Sequence, residues 1–358
     1  MSHGHEHGNV AISNKAFELY GVISLSLDHN NPGAGGDSNV YLDSGGTVLG
    51  VKGSSPINED LKLFWQIEST IDLTELGTAN KSQWAGHDSF VGVASKYGTL
   101  LAAKHHTPYT MTTLALDPFH HLAGDMRLLL GNINDLNSGT GDHHGSAFNV
   151  RAPDIVMYQT PQKNGFSANF AVFGFNERKK AVPTGDTSAF SIGASYDVGP
   201  LLATAAYEQH KNYDSYGDHH GATDPEVIDK TAAAKLGLMY GFSKVVVGVV
   251  YENIKVSDES IAVPNASRDT YYLSAKAPLG ENTALKLAYG NGSEFAGDDK
   301  ASFYALGLFR DLSKVAQAYV SYIHTSNDAQ ARFGTFRVTP VEEGGDPSTL
   351  STGIVYAF

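Results

Sequence analysis

The feature that most constrains this chain is a period-two alternation of apolar and polar residues, repeated in segments of about ten residues. Between residues 17 and 28 every second residue is apolar or glycine, and segments 61–68, 166–172, 271–277 and 284–289 repeat the pattern. Successive side chains of a strand leave opposite faces. Each segment is therefore predicted to be a strand with one apolar face.

The connections between these segments fall into two groups. Tight turns are predicted near 95–98, 161–165, 198–200, 241–244, 278–282 and 311–314, and long connections at 107–149, 212–229, 257–268, 292–300 and 327–346. We count about 16 strands, and short turns at one rim with long loops at the other are typical of outer-membrane barrels. The predicted fold class is all-β, a transmembrane antiparallel β-barrel. A short helical signal, at residues 117–130, lies inside the longest connection.

A soluble β-sandwich is the alternative fold, because alternation alone does not separate core-facing from lipid-facing side chains. Two observations favour the barrel: the second face of the strands is polar without being densely charged, and aromatic residues stand at strand ends, where membrane interfaces require them. No run of about 18 apolar residues exists, so no spanning helix is predicted.

Composition excludes several classes of protein. Asp and Glu number 38 against 25 Lys and Arg, so the formal charge is −13, and there is no cysteine. A nucleic-acid partner requires a basic surface, and a disulfide scaffold or a thiolate enzyme requires cysteine. Residues 1–16 show no signal-peptide pattern, so we expect a mature chain with a flexible His-rich segment at 1–16 and one barrel domain at 17–358.

Several stretches resemble strands of the Gram-negative trimeric porins, in particular the 16-stranded general-diffusion type. They are Glu18-Leu19-Tyr20-Gly21-Val22, Leu49-Gly50-Val51-Lys52-Gly53, Ser89-Phe90-Val91-Gly92 with Tyr97-Gly98-Thr99, and Met157-Tyr158-Gln159-Thr160-Pro161. The C-terminal strand carries Ile354, Tyr356 and Phe358 on one face and ends in the aromatic residue. This ending resembles the signal that the outer-membrane assembly machinery recognises.

The resemblance implies a homotrimer in the bacterial outer membrane, in contact with membrane lipids and lipopolysaccharide, that forms a water-filled channel for small hydrophilic solutes and ions. It also implies that the loop after the fifth strand, residues 107–149, folds inward and sets acids opposite bases at a constriction. The expected acids are Asp117, Asp125 and Asp135, and strand parity places the bases Lys52, Lys62 and Lys104 inward. Such a transverse field discriminates among charged solutes. From the charge of −13 we expect mild cation preference or little selectivity.

Histidine is unusually frequent, with 15 residues and the pentapeptide Gly-Asp-His-His-Gly at 141–145 and 217–221. Imidazoles bind transition metals, so the metal candidates are His143, His144, His219 and His220; the alternative is that these are polar loop residues and that the N-terminal cluster is a purification sequence. No cofactor is implied; the alternative is an adventitious or loop-bound divalent metal. A substrate-selective porin that concentrates cations or transition metals, and a non-conducting surface-binding barrel, are the alternative functions. No hydrolase, zinc-protease, P-loop or dinucleotide motif occurs, so no enzyme is predicted.

Overall fold

The part of the chain that the computed structural model describes contains a closed antiparallel barrel of sixteen strands. The described residues are 5–6, 9–74, 84–132, 148–174, 188–211, 230–257, 266–295, 297–338 and 342–358. The strands are β1 (Glu18–Asn31), β2 (in two segments, Asn39–Asp43 and Val48–Pro56), β3 (Leu61–Thr70), β4 (Ser89–Ser95), β5 (Gly98–His106), β6 (Arg151–Gln159), β7 (Phe166–Phe173), β8 (Ser188–Val198), β9 (Leu201–Lys211), β10 (Lys230–Phe242), β11 (Val245–Ser257), β12 (Ser267–Pro278), β13 (Thr283–Gly292), β14 (Ala301–Asp311), β15 (Ala316–Asn327) and β16 (Ser348–Ala357). Each strand pairs with the next along the chain, and β16 pairs with β1 to close the ring.

Strand β2 is a single strand with a gap. Both of its segments pair with β1, and residues 44–47 leave the ladder between them. At the gap the Thr47 hydroxyl accepts a hydrogen bond from the Ser24 backbone N at 3.0 Å and donates to the Ser24 carbonyl at 2.9 Å. The side chain thus replaces the missing ladder bonds of β1, as a buried backbone requires.

The two rims differ as the sequence predicts. Turns of two residues join β4 to β5, β8 to β9 and β10 to β11, whereas the opposite rim carries the long connections. Short turns face the periplasm and long loops face the outside in barrels of this kind. The tight-turn rim is therefore assigned to the periplasmic side.

The outer wall is apolar, with aromatic residues near both ends of the strands. Exposed aliphatic side chains such as Leu273, Leu287 and Leu306 lie between an outer row that includes Tyr271, Tyr289, Tyr304 and Tyr322 and a periplasmic row that includes Tyr196, Tyr240, Phe242 and Tyr356. The inner face is polar and buried, as Ser24, Ser26, Asp28 and Asn30 illustrate on β1. An apolar outside around a polar inside identifies a lipid-facing barrel and not a sandwich.

Among the described residues, no helix is long and apolar enough to cross a bilayer. Upstream of the barrel, residues His5–Glu6 pair with Asn9–Val10 in a short antiparallel ribbon.

Candidate constriction of the lumen

The loop that joins β5 to β6, residues 107–150 and called L3 below, begins with a short helix, α1 (Pro108–Met111). Thr107 is its N-cap, and the Thr107 hydroxyl accepts a hydrogen bond from the Thr110 backbone N at 3.3 Å. Proline at the first helical position loses no hydrogen bond there. Two 3-10 turns follow, Leu114–Leu116 and Met126–Leu128, so the helical signal at 117–130 is wrong as a continuous helix.

L3 turns into the barrel and is bonded to the inner face of strands β8 to β13. The contacts are Tyr109 N to Ser191 Oγ (2.9 Å), Lys235 Nζ to Thr113 Oγ1 (2.8 Å), Tyr272 OH to Asp117 Oδ1 (2.9 Å), Ser274 Oγ to Leu116 O (2.7 Å) and Lys286 Nζ to Pro118 O (2.9 Å). They come from four strands of one wall, β8, β10, β12 and β13. L3 is therefore held along the wall at many points.

A buried pair of opposite charges anchors the two ends of L3. Glu252 is fully buried and accepts hydrogen bonds from Tyr109 OH at 2.5 Å and from the Gly131 backbone N at 2.7 Å. Its register partner across β10 and β11 is Lys235, whose Nζ donates to Asn149 Oδ1 at 2.6 Å. The two charges thus bind residues from the start, the middle and the end of L3.

Apolar side chains of L3 fill the space between the loop and this wall. Leu116, Phe119, Leu122, Met126, Leu129 and Leu130 form one buried cluster with wall residues that include Val250, Tyr272, Phe303, Phe309 and Ile323. A glycine on the wall leaves room for the L3 backbone: a Cβ at Gly193 on β8 would lie 2.8 Å from the Pro108 carbonyl oxygen. This apolar contact makes L3 part of the barrel interior.

The tip of L3 reaches the opposite wall. The rings of His121 and His87, the latter in the connection between β3 and β4, have centroids 6.0 Å apart. A Cβ at Gly46, in the gap of β2, would lie 3.2 Å from the His121 Cβ. L3 therefore extends from the β8–β14 wall to the β2–β4 wall at this level.

Two of the predicted acids hold the fold of L3. Asp117 accepts hydrogen bonds from the backbone N of Phe119 and of Met126, each at 2.9 Å, besides the one from Tyr272. Asp125 accepts from Arg127 Nε at 2.8 Å and Nη2 at 2.7 Å. Burial, together with the charge of Asp125, raises the pKa of Asp117 to about 7. Burial alone would also raise the pKa of Asp125, but the Arg127 guanidinium holds it well below its usual range.

Further charges line the wall that faces the L3 tip. Glu68 on β3 accepts hydrogen bonds from Tyr20 OH at 2.8 Å and is paired with His87 Nδ1. Asp88 accepts from Arg151 Nε at 3.1 Å. Burial and the Arg151 cation lower the pKa of His87, so this imidazole is neutral at neutral pH. Neither pair was predicted from the sequence, in which the one signal was the position of Glu68 on the polar face of β3.

The three predicted bases lie at different places on β2, β3 and β5. Lys52 is the register partner of Glu18, and its Nζ lies 4.7 Å from the ring centroid of Tyr20, on the inner face of the wall. Lys62 donates to Asn14 Oδ1 at 3.1 Å near the periplasmic rim. Lys104 is half-buried beside a register irregularity in β5, within electrostatic range of Asp88. The three lysines are not brought together: Lys104 is within electrostatic range of Asp88, and Lys52 lies beside Tyr20, which donates to Glu68.

The residues of the predicted assembly signal lie on the outer wall. Ile354, Tyr356 and Phe358 are 41%, 41% and 47% exposed. The Phe358 backbone N and O each bond to Gly21 at 3.1 Å, so the last residue lies at the seam between β16 and β1.

Asp135, His143, His144, His219 and His220 lie outside the described residues. Within the described part of the chain, two groups have ligand atoms close enough for a metal ion: Asp117 with His120 and Asp125, and the exposed trio Glu294, Asp298 and Asp328. In the first group Asp125 is already paired with Arg127. The donor chemistry there is that of an internal ion pair and does not favour a cation.

A family model described as Gram-negative porin matches residues 9–330. The chain belongs to the Gram-negative porin family. It is accordingly an outer-membrane barrel and not an enzyme.

Its relatives include the outer membrane porin protein 32 of Delftia acidovorans, which is 26% identical over 97% of this chain and 95% of that protein. The major outer membrane protein P.IA of Neisseria meningitidis serogroup C is 29% identical over 38% of this chain and 31% of that protein.

Solved structures agree on the fold. The anion-selective porin from Comamonas acidovorans superimposes with a TM-score of 0.79 at 23% identity, covering 96% of this chain and 99% of that one. Salmonella typhi OmpF superimposes with a TM-score of 0.65 at 16% identity, covering 97% and 99%.

Proposed function

We propose that this porin is a passive, water-filled channel for small hydrophilic solutes and ions, whose narrowest level is set by L3. The observation that best supports this proposal is that L3 extends across the lumen and is anchored to the wall by Glu252 and Lys235. A barrel of sixteen strands is too wide for side chains to fill, so an ordered internal loop is the element that limits the passage.

The test is single-channel conductance in a planar bilayer, with the refolded protein and a heat-denatured sample as the control. Stepwise openings from the folded sample alone support the proposal. Absence of openings from protein shown to be folded contradicts it and favours the non-conducting surface-binding barrel.

We propose that the channel discriminates weakly between cations and anions. Near the L3 tip the described charges nearly balance: the carboxylates Glu68, Asp88 and Asp125 face the cations Lys104, Arg127 and Arg151. Asp117, whose pKa is raised to about 7, adds part of a negative charge. The relative from Comamonas acidovorans is described as anion-selective, whereas this chain carries a formal charge of −13. We expect a reversal potential near zero or slightly on the cation side in a salt gradient; a value clearly on the anion side contradicts the proposal.

The predicted roles of Lys52, Lys62, Lys104, Asp117, Asp125 and Asp135 are part of this proposal. For Asp117 and Asp125 the role is to shape L3, because their oxygens are occupied by donors of the loop and the wall. The metal-concentrating alternative depends on His143, His144, His219 and His220. Zinc added to the same bilayer tests it, since block at micromolar zinc is expected only if these pairs hold the ion.

We also propose that the protein is a homotrimer. OmpT of Vibrio cholerae, whose trimer form superimposes with a TM-score of 0.67 at 15% identity over 96% of this chain and 99% of that one, supports this assembly. The outer wall of β1 to β5 suits a partner because it presents aliphatic side chains, including Leu19, Ile23, Leu27, Leu49, Leu63, Ile67, Val91 and Leu100. Chemical cross-linking in detergent tests it; a monomer at all detergent concentrations contradicts it.

The lipid, lipopolysaccharide and assembly-machinery contacts remain part of the same proposal. The aromatic rows at both ends of the wall support a lipid setting. The exposed face of Ile354, Tyr356 and Phe358 supports recognition during assembly, because these side chains point out from the barrel wall.

A further inference from the structure

The chain upstream of β1 does not leave the barrel at the periplasmic rim. Phe17 packs outside, with its ring centroid 6.4 Å from that of Trp65. The preceding residues turn to the inner side: the Ser54 backbone N donates to the Lys15 carbonyl at 2.8 Å, and the Ser54 hydroxyl donates to the Ser13 carbonyl at 2.6 Å. The chain thus crosses the rim between residues 17 and 13.

Residues 10–14 then run across the inner wall. Asn14 accepts a hydrogen bond from Lys62 on β3 at 3.1 Å, and the Val10 backbone N donates to Gln159 on β6 at 3.2 Å. Gln159 is buried, only 3% exposed. From β2 to β6 there are four strand spacings of about 4.8 Å each, so the segment spans roughly a quarter of the ring.

The wall beneath this segment is unusually apolar for the inside of a water-filled barrel. Phe64, Phe90, Leu101, Ile155 and Met157 form a buried cluster, and Val10 and Ile12 pack against it. Apolar side chains facing an aqueous lumen are unfavourable unless something covers them. Val10 and Ile12 supply part of that cover.

The same cluster contains Met111 of α1, so the N-terminal segment and the start of L3 pack on one patch. The chain also doubles back on itself, because His5 and Glu6 pair with Val10 and Asn9. What enters the periplasmic mouth is therefore a two-stranded ribbon and not a single extended chain.

We propose that residues 9–16 form a second constriction, at the periplasmic mouth below L3, and that this segment limits the size of the solutes that pass. The proposal rests on the diffusion function proposed above. It assigns the size limit of the channel to two elements in series: L3, held by polar anchors, and the N-terminal segment, held mainly by two apolar side chains and a few hydrogen bonds.

The first experiment compares the single-channel conductance of the full chain with that of Val10→Ser/Ile12→Ser and of a deletion of residues 2–13. Glu281→Ala, at an exposed position of a tight turn on the same rim and outside the segment, is the control. Removing a two-stranded ribbon about 10 Å wide is expected to raise the conductance roughly 1.5- to 2-fold. Liposome swelling is expected to accelerate for large sugars and to change little for small ones. Unchanged conductance and an unchanged size limit in both folded variants would overturn the proposal.

A second experiment uses the absence of cysteine in the chain. The pair Asn14→Cys/Lys62→Cys replaces two side chains that meet at 3.1 Å, and a bifunctional methanethiosulfonate reagent is expected to join them in the folded protein and to keep the conductance low until a reductant is added. If no variant conducts, the diffusion function fails, and the cross-linking yield alone decides the position of the segment. Cross-linking in the folded protein supports the lumen position, and its absence overturns it.

Discussion

The anchor at Glu252 gives the sharpest test of how L3 is held. Glu252→Ala removes the acceptor of the Tyr109 hydroxyl and of the Gly131 backbone N. It also removes the larger of the two carboxylate charges that act on the buried Lys235 ammonium, the smaller being that of Glu208 on β9. Breaking a buried charge pair by removing one partner costs about 3–5 kcal/mol, and this cost is borne by the attachment of L3 because the barrel ladder itself is untouched.

This free-energy cost determines how often L3 is released from the wall. With about 1.4 kcal/mol for each factor of ten, the released form of L3 is expected to rise roughly 10²- to 10⁴-fold in Glu252→Ala. Cleavage of a transiently opened loop follows its population when opening is fast. Trypsin cleavage at Arg127 in the folded, detergent-solubilised protein measures this, with fragments separated after heating.

Glu281→Ala, at an exposed position of a tight turn, is the matched control. We also expect noisier single-channel currents for Glu252→Ala, since a released loop enters the passage. The double variant Lys235→Met/Glu252→Leu should be less affected than Glu252→Ala alone, because no charge is left unpaired. A cleavage rate for Glu252→Ala within about threefold of the control's, well below that predicted range, would refute the anchoring role.

Three further predictions follow from the contacts described. The pKa of Asp117 is about 7 in the folded chain against about 3.9 in the unfolded one, so its contribution to stability is full below pH 4 and is lost as the pH rises through 7. The decrease in thermal midpoint between pH 5 and pH 8 should therefore be smaller for Asp117→Asn than for the unchanged protein. Equal decreases in the two proteins contradict this prediction. Gly21→Val should lower the heat-resistant folded fraction on gels, because its Cβ would lie 2.6 Å from the Phe358 ring; an unchanged fraction speaks against a packed seam. Asp88→Asn leaves Arg151 without the carboxylate 3.1 Å away, so the reversal potential should move towards anions, and no movement would show that the pair does not face the ion path.

The barrel itself was predictable because strand alternation is local. A strand with one apolar face can be recognised within about ten residues. The tight and the long connections predict which strand ends lie at which rim. The gap in β2 was not predicted, because the bonds that replace the ladder at residues 44–47 run from Thr47 to Ser24, which lies on another strand. Closure of that gap is a property of the pair of strands and not of either segment.

The interior was much less predictable. Apolar residues of L3 produce a helical signal when taken alone, yet they are distributed to meet the wall and so form single turns. The pairing of Glu68 with His87, and of Asp88 with Arg151, depends on which strands are neighbours and on the depth of each residue in the barrel. Acid residues such as Asp117 could be placed in the loop from the sequence, but their partners could not.

The seam between β16 and β1 has a consequence for how the chain reaches its native state. The Thr349 hydroxyl donates to Asn30 Oδ1 at 2.7 Å across 319 residues of sequence, so the ring closes through contacts between the two extremes of the chain. Folding rates fall as the sequence separation of native contacts grows. Until β16 has formed and paired with β1, the edge of β1 is unpaired and prone to pair with other chains. Such a protein is expected to fold slowly, because the ring closes only when β16 pairs with β1.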